Sequence, residues 1–127
     1  MALYTTLHLH NVPKNKQVEY TSWFDNTQQS ALNNLRGFRA VERYEVAAEQ
    51  IMPDIPQPWQ FVSIYDFDLP CPAIDTPALG PLIADARDSG MILDNVTERL
   101  YTYALYADWK YSENYQANQP LSGVSII

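Results

Sequence analysis

Residues 23–46 read WFDNTQQSALNNLRGFRAVERYEV, and the passage changes its periodicity at one glycine. Upstream, from Lys16 to Leu35, there is no Pro or Gly. Tyr20, Trp23, Phe24, Thr27, Ala31 and Leu35 recur there at steps of three and four, the apolar stripe of an amphipathic helix. Gly37 follows the last apolar position, where a residue tolerant of positive φ ends a helix. Downstream, FRAVERYEV reads as a strand, and upstream Asn15 offers an N-cap oxygen.

Working outward, ALYTTLHLH (2–10) alternates with period two. Leu3, Leu7 and Leu9 fall on one side, and Tyr4, Thr6, His8 and His10 on the other. Pro13 ends this strand. AAEQIMPDIPQP carries three prolines and reads as an irregular connection. WQFVSIYDFDL (59–69) alternates again, with Trp59, Phe61, Ser63, Tyr65 and Phe67 opposed to Gln60, Val62, Ile64 and Asp66. After the PCPAIDTP loop, Asp75 or Thr76 can cap a second helix with Pro77 in its first turn. The Gly80–Pro81 pair weakens that turn and moves the expected start toward Pro81. The helix passes Leu82, Ile83 and Ala86 and stops at Gly90. ERLYTYALYADW is the fourth strand. We expect one domain over residues 1–109, with a tail over 110–127 whose apolar end, GVSII, docks on the domain or on a partner.

The order β-α-β-β-α-β is the ferredoxin-like split βαβ, an α+β fold with two helices on one face of a four-stranded antiparallel sheet. The uncovered face is expected to carry rings and polar groups, with Tyr4, His8 and Tyr103 among them. Pairing two such sheets face to face would bury it and enclose a cavity, so a symmetric homodimer, a dimeric α/β barrel, is expected.

Bulk properties narrow the function classes. At 127 residues the chain is one domain of ordinary size. With 46% hydrophobic and 18% charged residues it can build a core. Its nine Tyr and three Trp suit cavity walls and interfaces. A formal charge of −7 repels phosphate backbones and anionic lipid, so neither nucleic acid nor membrane is expected as a partner. Cys71 is the single cysteine. It forms no intrachain disulfide, and no helix start or basic neighbour activates it as a nucleophile. No leader-like segment and no apolar run of about 18 residues occurs, so a cytoplasmic protein is expected. Gly-rich phosphate loops, Ser-His-Asp spacing, zinc cysteine clusters and repeats are absent from the sequence.

Several residues are candidates for chemistry. His8 and His10 share a strand face about 7 Å apart and could serve as acid and base. A metal would need a third ligand from Glu42, Glu45, Asp66 or Cys71, and neither a metal nor a cofactor is expected. Tyr4, Tyr65, Tyr101 and Tyr103, with Trp59, could stack and orient a planar ligand or equally pack a subunit interface. Glu42, Arg43 and Arg99 could meet an anionic substrate or an oxyanion, or pair across strands. Asp66 and Asp68 read as solvated edge charges, and Asn33 and Asn34 as helix-surface residues.

Trp23-Phe24-Asp25, Gln28, Leu35 through Gly37-Phe38 and Arg43-Tyr44 together resemble the EthD-like branch of the dimeric α/β-barrel superfamily. Members of that branch show Trp-Tyr-Asp, two acids and a His on the first helix, then Pro-Gly-Phe and an Arg-Tyr pair on strand two. VSIYDFD resembles their aromatic-and-acid third strand. The likeness spans roughly residues 1–107. It departs where the helix histidine aligns with Gln28 and the two acids with Asn26 and Thr27. An amide does not titrate near neutral pH, so Gln28 cannot replace a histidine as acid or base. The resemblance implies cofactor-free isomerase, cyclase, lyase or oxygenase chemistry on a small aromatic or polyketide-like molecule. The alternative is a non-catalytic ligand-binding or accessory module. If the chain is catalytic, His8 is expected as acid or base, with Tyr65 and Tyr103 positioning substrate. Tyr4, His10, Trp23, Phe24, Gln28, Arg43, Trp59 and Tyr101 are the expected ligand contacts.

Overall fold

β1 (Leu3–His10) and β3 (Phe61–Asp68) pair antiparallel down the middle of a four-stranded sheet. β2 (Phe38–Glu45) flanks β3, and β4 (Arg99–Ala104) flanks β1, so the order is β2-β3-β1-β4. With all neighbours antiparallel and a helix in each crossover, this is the expected ferredoxin-like α+β arrangement. The computed structural model describes residues 3–70, 78–93, 98–107, 110 and 112–114. The Cys71 loop, the cap expected at Asp75 or Thr76, and the GVSII end lie outside the described residues.

The first helical stretch, α1, runs in four pieces. A 3₁₀ turn (Lys14–Lys16) leads into α-helix (Gln17–Trp23), a π-helical turn (Phe24–Gln28) and a last α turn (Gln29–Leu32). No side chain caps its start, so the expected Asn15 cap is not formed; Pro13 and the 3₁₀ turn begin the helix instead. The π turn also changes which residues face inward. In an unbroken α-helix, steps of four residues drift about 40° each. The wider π turn takes up part of that drift, so Tyr20, Phe24, Gln28 and Leu32 all stay buried. Thr27, expected on the inward stripe, is exposed, and Ala31 is only half-buried.

The second helix, α2 (Leu79–Asp88), starts two residues before Pro81 and buries Leu79, Ile83 and Ala86. Pro81 is harmless there, because the first turn has no intrahelical partner for its missing N–H. One irregularity shapes β2. Its register against β3 shifts between Phe38 and Ala40. The extra residue lets Phe38 and Val41, three apart, both pack on the core.

The face the helices cover is the opposite of the one expected. Thr6, His8, His10, Ser63, Tyr65 and Phe67 are buried beneath them. The aliphatic side, with Leu3, Leu7, Leu9, Val62 and Ile64, is only half-buried and lies on the open face. Tyr101 and Tyr103 pair with Leu7 and Thr5, so they join the open face, not His8. Polarity alone misassigned the sides because the polar side chains on β1 find partners under the helices. Asp66, on the open side, is likewise not a free edge charge, since it accepts a hydrogen bond from the Thr5 hydroxyl at 2.7 Å.

Gly37 makes the turn from α1 into β2. Its φ is +76°, and a Cβ there would lie 2.5 Å from Leu69 Cδ2 and 2.6 Å from the Asp68 carbonyl oxygen. Asp68 N–H also donates to the Gly37 carbonyl at 2.8 Å, so the two segments cannot separate cheaply. Gly37→Ala should therefore destabilise the fold by about 2–4 kcal/mol. A thermal melt should show a midpoint lower by on the order of 10 °C; an unchanged midpoint would mean the turn is not held as described.

Candidate functional site

The buried polar groups form one connected seam between the sheet and the helices. His10 is fully buried. Its Nδ1 meets the His8 carbonyl at 3.0 Å and its Nε2 meets the Tyr20 hydroxyl at 2.8 Å. A carbonyl can only accept, so Nδ1 carries the proton, Nε2 is the acceptor, and Tyr20 donates to it. Burial, then the neighbouring His8, lowers the His10 pKa from 6.5 to about 3, with the bond to the His8 carbonyl and Glu98 opposing. His10 is therefore a neutral ring with both nitrogens committed.

His8 stacks on it, ring centroids 4.3 Å apart and planes within 17°. Its Nε2 bonds Glu98 Oε2, and Glu98 Oε1 accepts from Arg87 Nε at 2.7 Å. Burial alone would raise the Glu98 carboxyl, but His8 and Arg87 hold it below its ordinary value. On the other side of His10, the Ser63 hydroxyl lies within hydrogen-bonding reach of both Tyr20 and Tyr65, to one of which it can donate at a time, and Gln28 reaches Tyr65. Gln28 also donates to the Leu82 carbonyl at 3.3 Å, which ties α1 to α2. Burial, and then Tyr20, pushes the Tyr65 phenol well up, against Ser63, Arg43 and Gln28. Tyr65 thus stays protonated at neutral pH: it is suited to donating a hydrogen bond and unsuited to acting as a base.

Above this seam lies a cleft of about 440 Å³ lined by Tyr20, Thr21, Val41, Arg43, Tyr44, Glu45 and Phe61. Phe61 stacks on His10 at 5.9 Å, and Tyr20 tilts against Phe61 at 5.6 Å, so the floor of the cleft is continuous with the seam. Arg43 lies 4.2 Å over the Phe24 ring and pairs with Asp25 at 2.8 Å. Trp23, half-buried, stacks on Tyr20 at 6.3 Å.

Of the residues singled out in the sequence, His8, His10, Phe24, Gln28 and Tyr65 meet in the seam, and Trp23 and Arg43 edge it. Tyr4 shares the covered face but sits toward the far end of the sheet, opposite Phe67. Trp59 precedes β3 and is half-buried. Tyr101 and Tyr103 lie on the other face and do not meet His8 or Tyr65. Arg99 donates to the Glu98 carbonyl, and Glu42 receives the Tyr44 hydroxyl. Among the described residues, no group of three or more His, Cys, Asp and Glu side chains is placed to hold a metal.

Four members of the seam escaped the sequence reading: Tyr20 as a polar partner, Ser63, Arg87 and Glu98. Ser63 carried a signal, being the small hydroxyl residue on an otherwise aromatic inward row. Glu98 has the inward parity of Leu100, which pairs with His8, but only the register reveals it.

No protein-family model and no curated protein sequence matches the chain. Solved structures do. A DABB family protein with a ferredoxin-like fold from Mesorhizobium loti superposes with a TM-score of 0.54 at 15% identity, over 84% of this chain and 100% of that one. An ethyl tert-butyl ether D (EthD) family protein from Bacillus halodurans gives 0.54 at 14%, over 81% and 97%. A dimeric ferredoxin-like protein of unknown function from Thermobifida fusca gives 0.54 at 10%, over 82% and 92%. The class is thereby set: the chain has the ferredoxin-like fold that DABB and EthD proteins share. At these identities the likeness is one of fold.

The buried His10 makes stability depend on pH with a definite sign. Its folded pKa lies below its unfolded value, so the unfolded chain binds the extra proton first. The contribution is complete above about pH 6.5 and is lost as pH falls toward 3. Urea unfolding at pH 6.5 and pH 5 should show wild type losing about 2 kcal/mol more than His10→Asn, at about 1.4 kcal/mol per pH unit. Equal losses would mean that His10 is not a buried neutral ring.

Proposed function

We propose that the chain is a homodimer that binds a small aromatic or polyketide-like molecule in the α1–β2 cleft. It transforms that molecule without a cofactor, by isomerase, cyclase, lyase or oxygenase-type chemistry. The observation that carries this reading is the shared Tyr20: its ring lines the cleft while its hydroxyl is bonded to His10 in the buried seam. A volume near 440 Å³ suits a ligand of one to three rings. His10 is neutral and fully engaged, so His8, backed by a carboxylate, is the group left for proton transfer. Tyr65, buried in the seam behind the cleft lining, acts on a developing enolate or phenolate only through the hydrogen-bonded network it shares with Tyr20.

A second reading, a non-catalytic ligand-binding module, is favoured by Gln28. It occupies the position where the resemblance places a histidine, carries no titratable proton, and donates its amide to a backbone carbonyl.

The open sheet face supports the dimer. Leu3, Leu7, Leu9, Val62 and Ile64 are half-buried there, beside Tyr44, Tyr101 and Tyr103, which are each about half exposed. Burying such side chains is worth roughly 1.5–3 kcal/mol apiece when complete. The neighbour from Thermobifida fusca is itself described as dimeric. On this reading Tyr101 and Tyr103 belong to the subunit contact. No helix among the described residues is long and apolar enough to cross a membrane.

Two outcomes are expected. Light scattering at micromolar concentration should give twice the 14.5 kDa chain mass, and a monomer would remove the subunit contact. Titration with naphthol should quench tryptophan fluorescence saturably in wild type. Thr21→Phe, an exposed change that fills the cleft mouth, should weaken that binding by ~10-fold or more at unchanged fold. Binding that ignores Thr21→Phe would place the ligand elsewhere. Once a substrate is turned over, His8→Ala should lower its rate by ~10²–10⁴. Binding with no turnover of any aromatic substrate would leave the module reading.

A further inference from the structure

We infer that Glu98 is a positioning residue for His8. It pins a proton on the imidazole Nε2, which in the neutral ring leaves Nδ1 as the nitrogen with the free lone pair, and Arg87 holds the carboxylate in that task. The assignment follows from three observations. An ionised carboxylate can only accept, so the His8 Nε2–Glu98 Oε2 contact requires the proton on Nε2 in either charge state of the ring. The other carboxylate oxygen is taken by Arg87 Nε at 2.7 Å, so Glu98 is held at both oxygens and cannot rotate away. Its side chain is only 6% exposed, whereas Arg87 is 38% exposed and reaches in from the last turn of α2.

The third observation concerns the ring itself. His8 is buried and stacked flat on His10. His10 is pinned in turn by the His8 carbonyl and the Tyr20 hydroxyl. Rotation of the His8 ring to exchange its nitrogens would break the stack and strand a buried carboxylate. The titratable groups beside His8 are thus His10 on its own strand and Glu98 just ahead of β4, with Arg87 on α2 reaching it through that carboxylate. The lowered Glu98 pKa agrees with an ionised partner. Carboxylate-backed histidines of this kind fix a tautomer and raise the basicity of the opposite nitrogen. The catalytic meaning of that basicity rests on the proposed acid–base function; the proton placement does not.

Proton and nitrogen NMR of the full-length, nitrogen-15-labelled chain tests the placement without any substrate. Wild type should show a downfield His8 Nε2–H resonance protected from solvent exchange, with Nε2 at the nitrogen shift of a protonated ring nitrogen. Glu98→Ala should speed exchange of that proton by at least ~10-fold, as expected for loss of a bond to a charged acceptor. Glu98→Gln, whose amide oxygen can still accept, should restore partial protection. Arg87→Ala leaves the carboxylate present but unheld and should give an intermediate rate. His10 is the internal control, because its Nδ1–H should be unchanged in every variant. A neutral His8 whose single proton sits on Nδ1 in wild type, or protection that survives both Glu98→Ala and Arg87→Ala, would overturn the assignment. If Glu98→Ala does not fold, Arg87→Ala and Glu98→Gln decide by the same criteria. A pinned Nε2–H in a chain that ignores naphthol would sink the proposed function and leave this placement standing.

Discussion

The Tyr20–His10–His8 carbonyl chain is the contact on which the rest depends. A fully buried imidazole is tolerable only when both nitrogens are paired, since a stranded buried polar group costs roughly 1–3 kcal/mol. His10 meets that condition with one partner on its own strand and one on α1. This single ring therefore sets the height and rotation of α1 over the sheet. Ser63, Tyr65 and Gln28 extend the same condition along β3 and the helix, and Glu98 with Arg87 extends it to α2 and β4. A seam of this kind is permissible only if every member is satisfied.

The π turn at Phe24–Gln28 belongs to the same logic. It keeps Gln28 on the inward face, where the amide spans Tyr65 and the Leu82 carbonyl. A regular α-helix over these residues would carry Gln28 off the inward line set by Tyr20 and Phe24. The local irregularity thus serves the polar seam, in keeping with the frequent placement of π turns at functional sites. The β2 bulge plays a comparable part, letting Phe38 and Val41 both close the apolar end of the core.

On β1 the usual arrangement is inverted: its polar groups lie under the helices, at the edge of a core that includes Phe24, Leu32, Phe67 and Ile83, and its leucines lie on the open face. The inversion makes sense if the open face is covered by something equally apolar, and the cleft then lies between sheet and helices within one subunit, near the seam rather than between sheets. Tyr20, Phe61 and the histidines belong to one side of the sheet, Tyr101 and Tyr103 to the other.

Much of the architecture was legible in the chain because it rests on local rules. Period-two alternation placed β1 and β3, Gly37 and Gly90 marked both helix ends with φ of +76° and +79°, and the element order alone selected the sheet topology. The EthD-like motif drew attention to Gln28, which does sit in the seam. The face of the sheet that receives the helices was not legible, because alternation tells which residues share a side but not what will cover it. Coverage was decided by hydrogen bonds between residues far apart in sequence, such as His8 with Glu98, 90 positions away. Glu98 and Arg87 were invisible for the same reason: an acid at a strand start and a basic residue in a last helix turn are ordinary in isolation. Only the antiparallel register of β4 on β1, and the docking of α2 beside it, brings their charges to a buried imidazole.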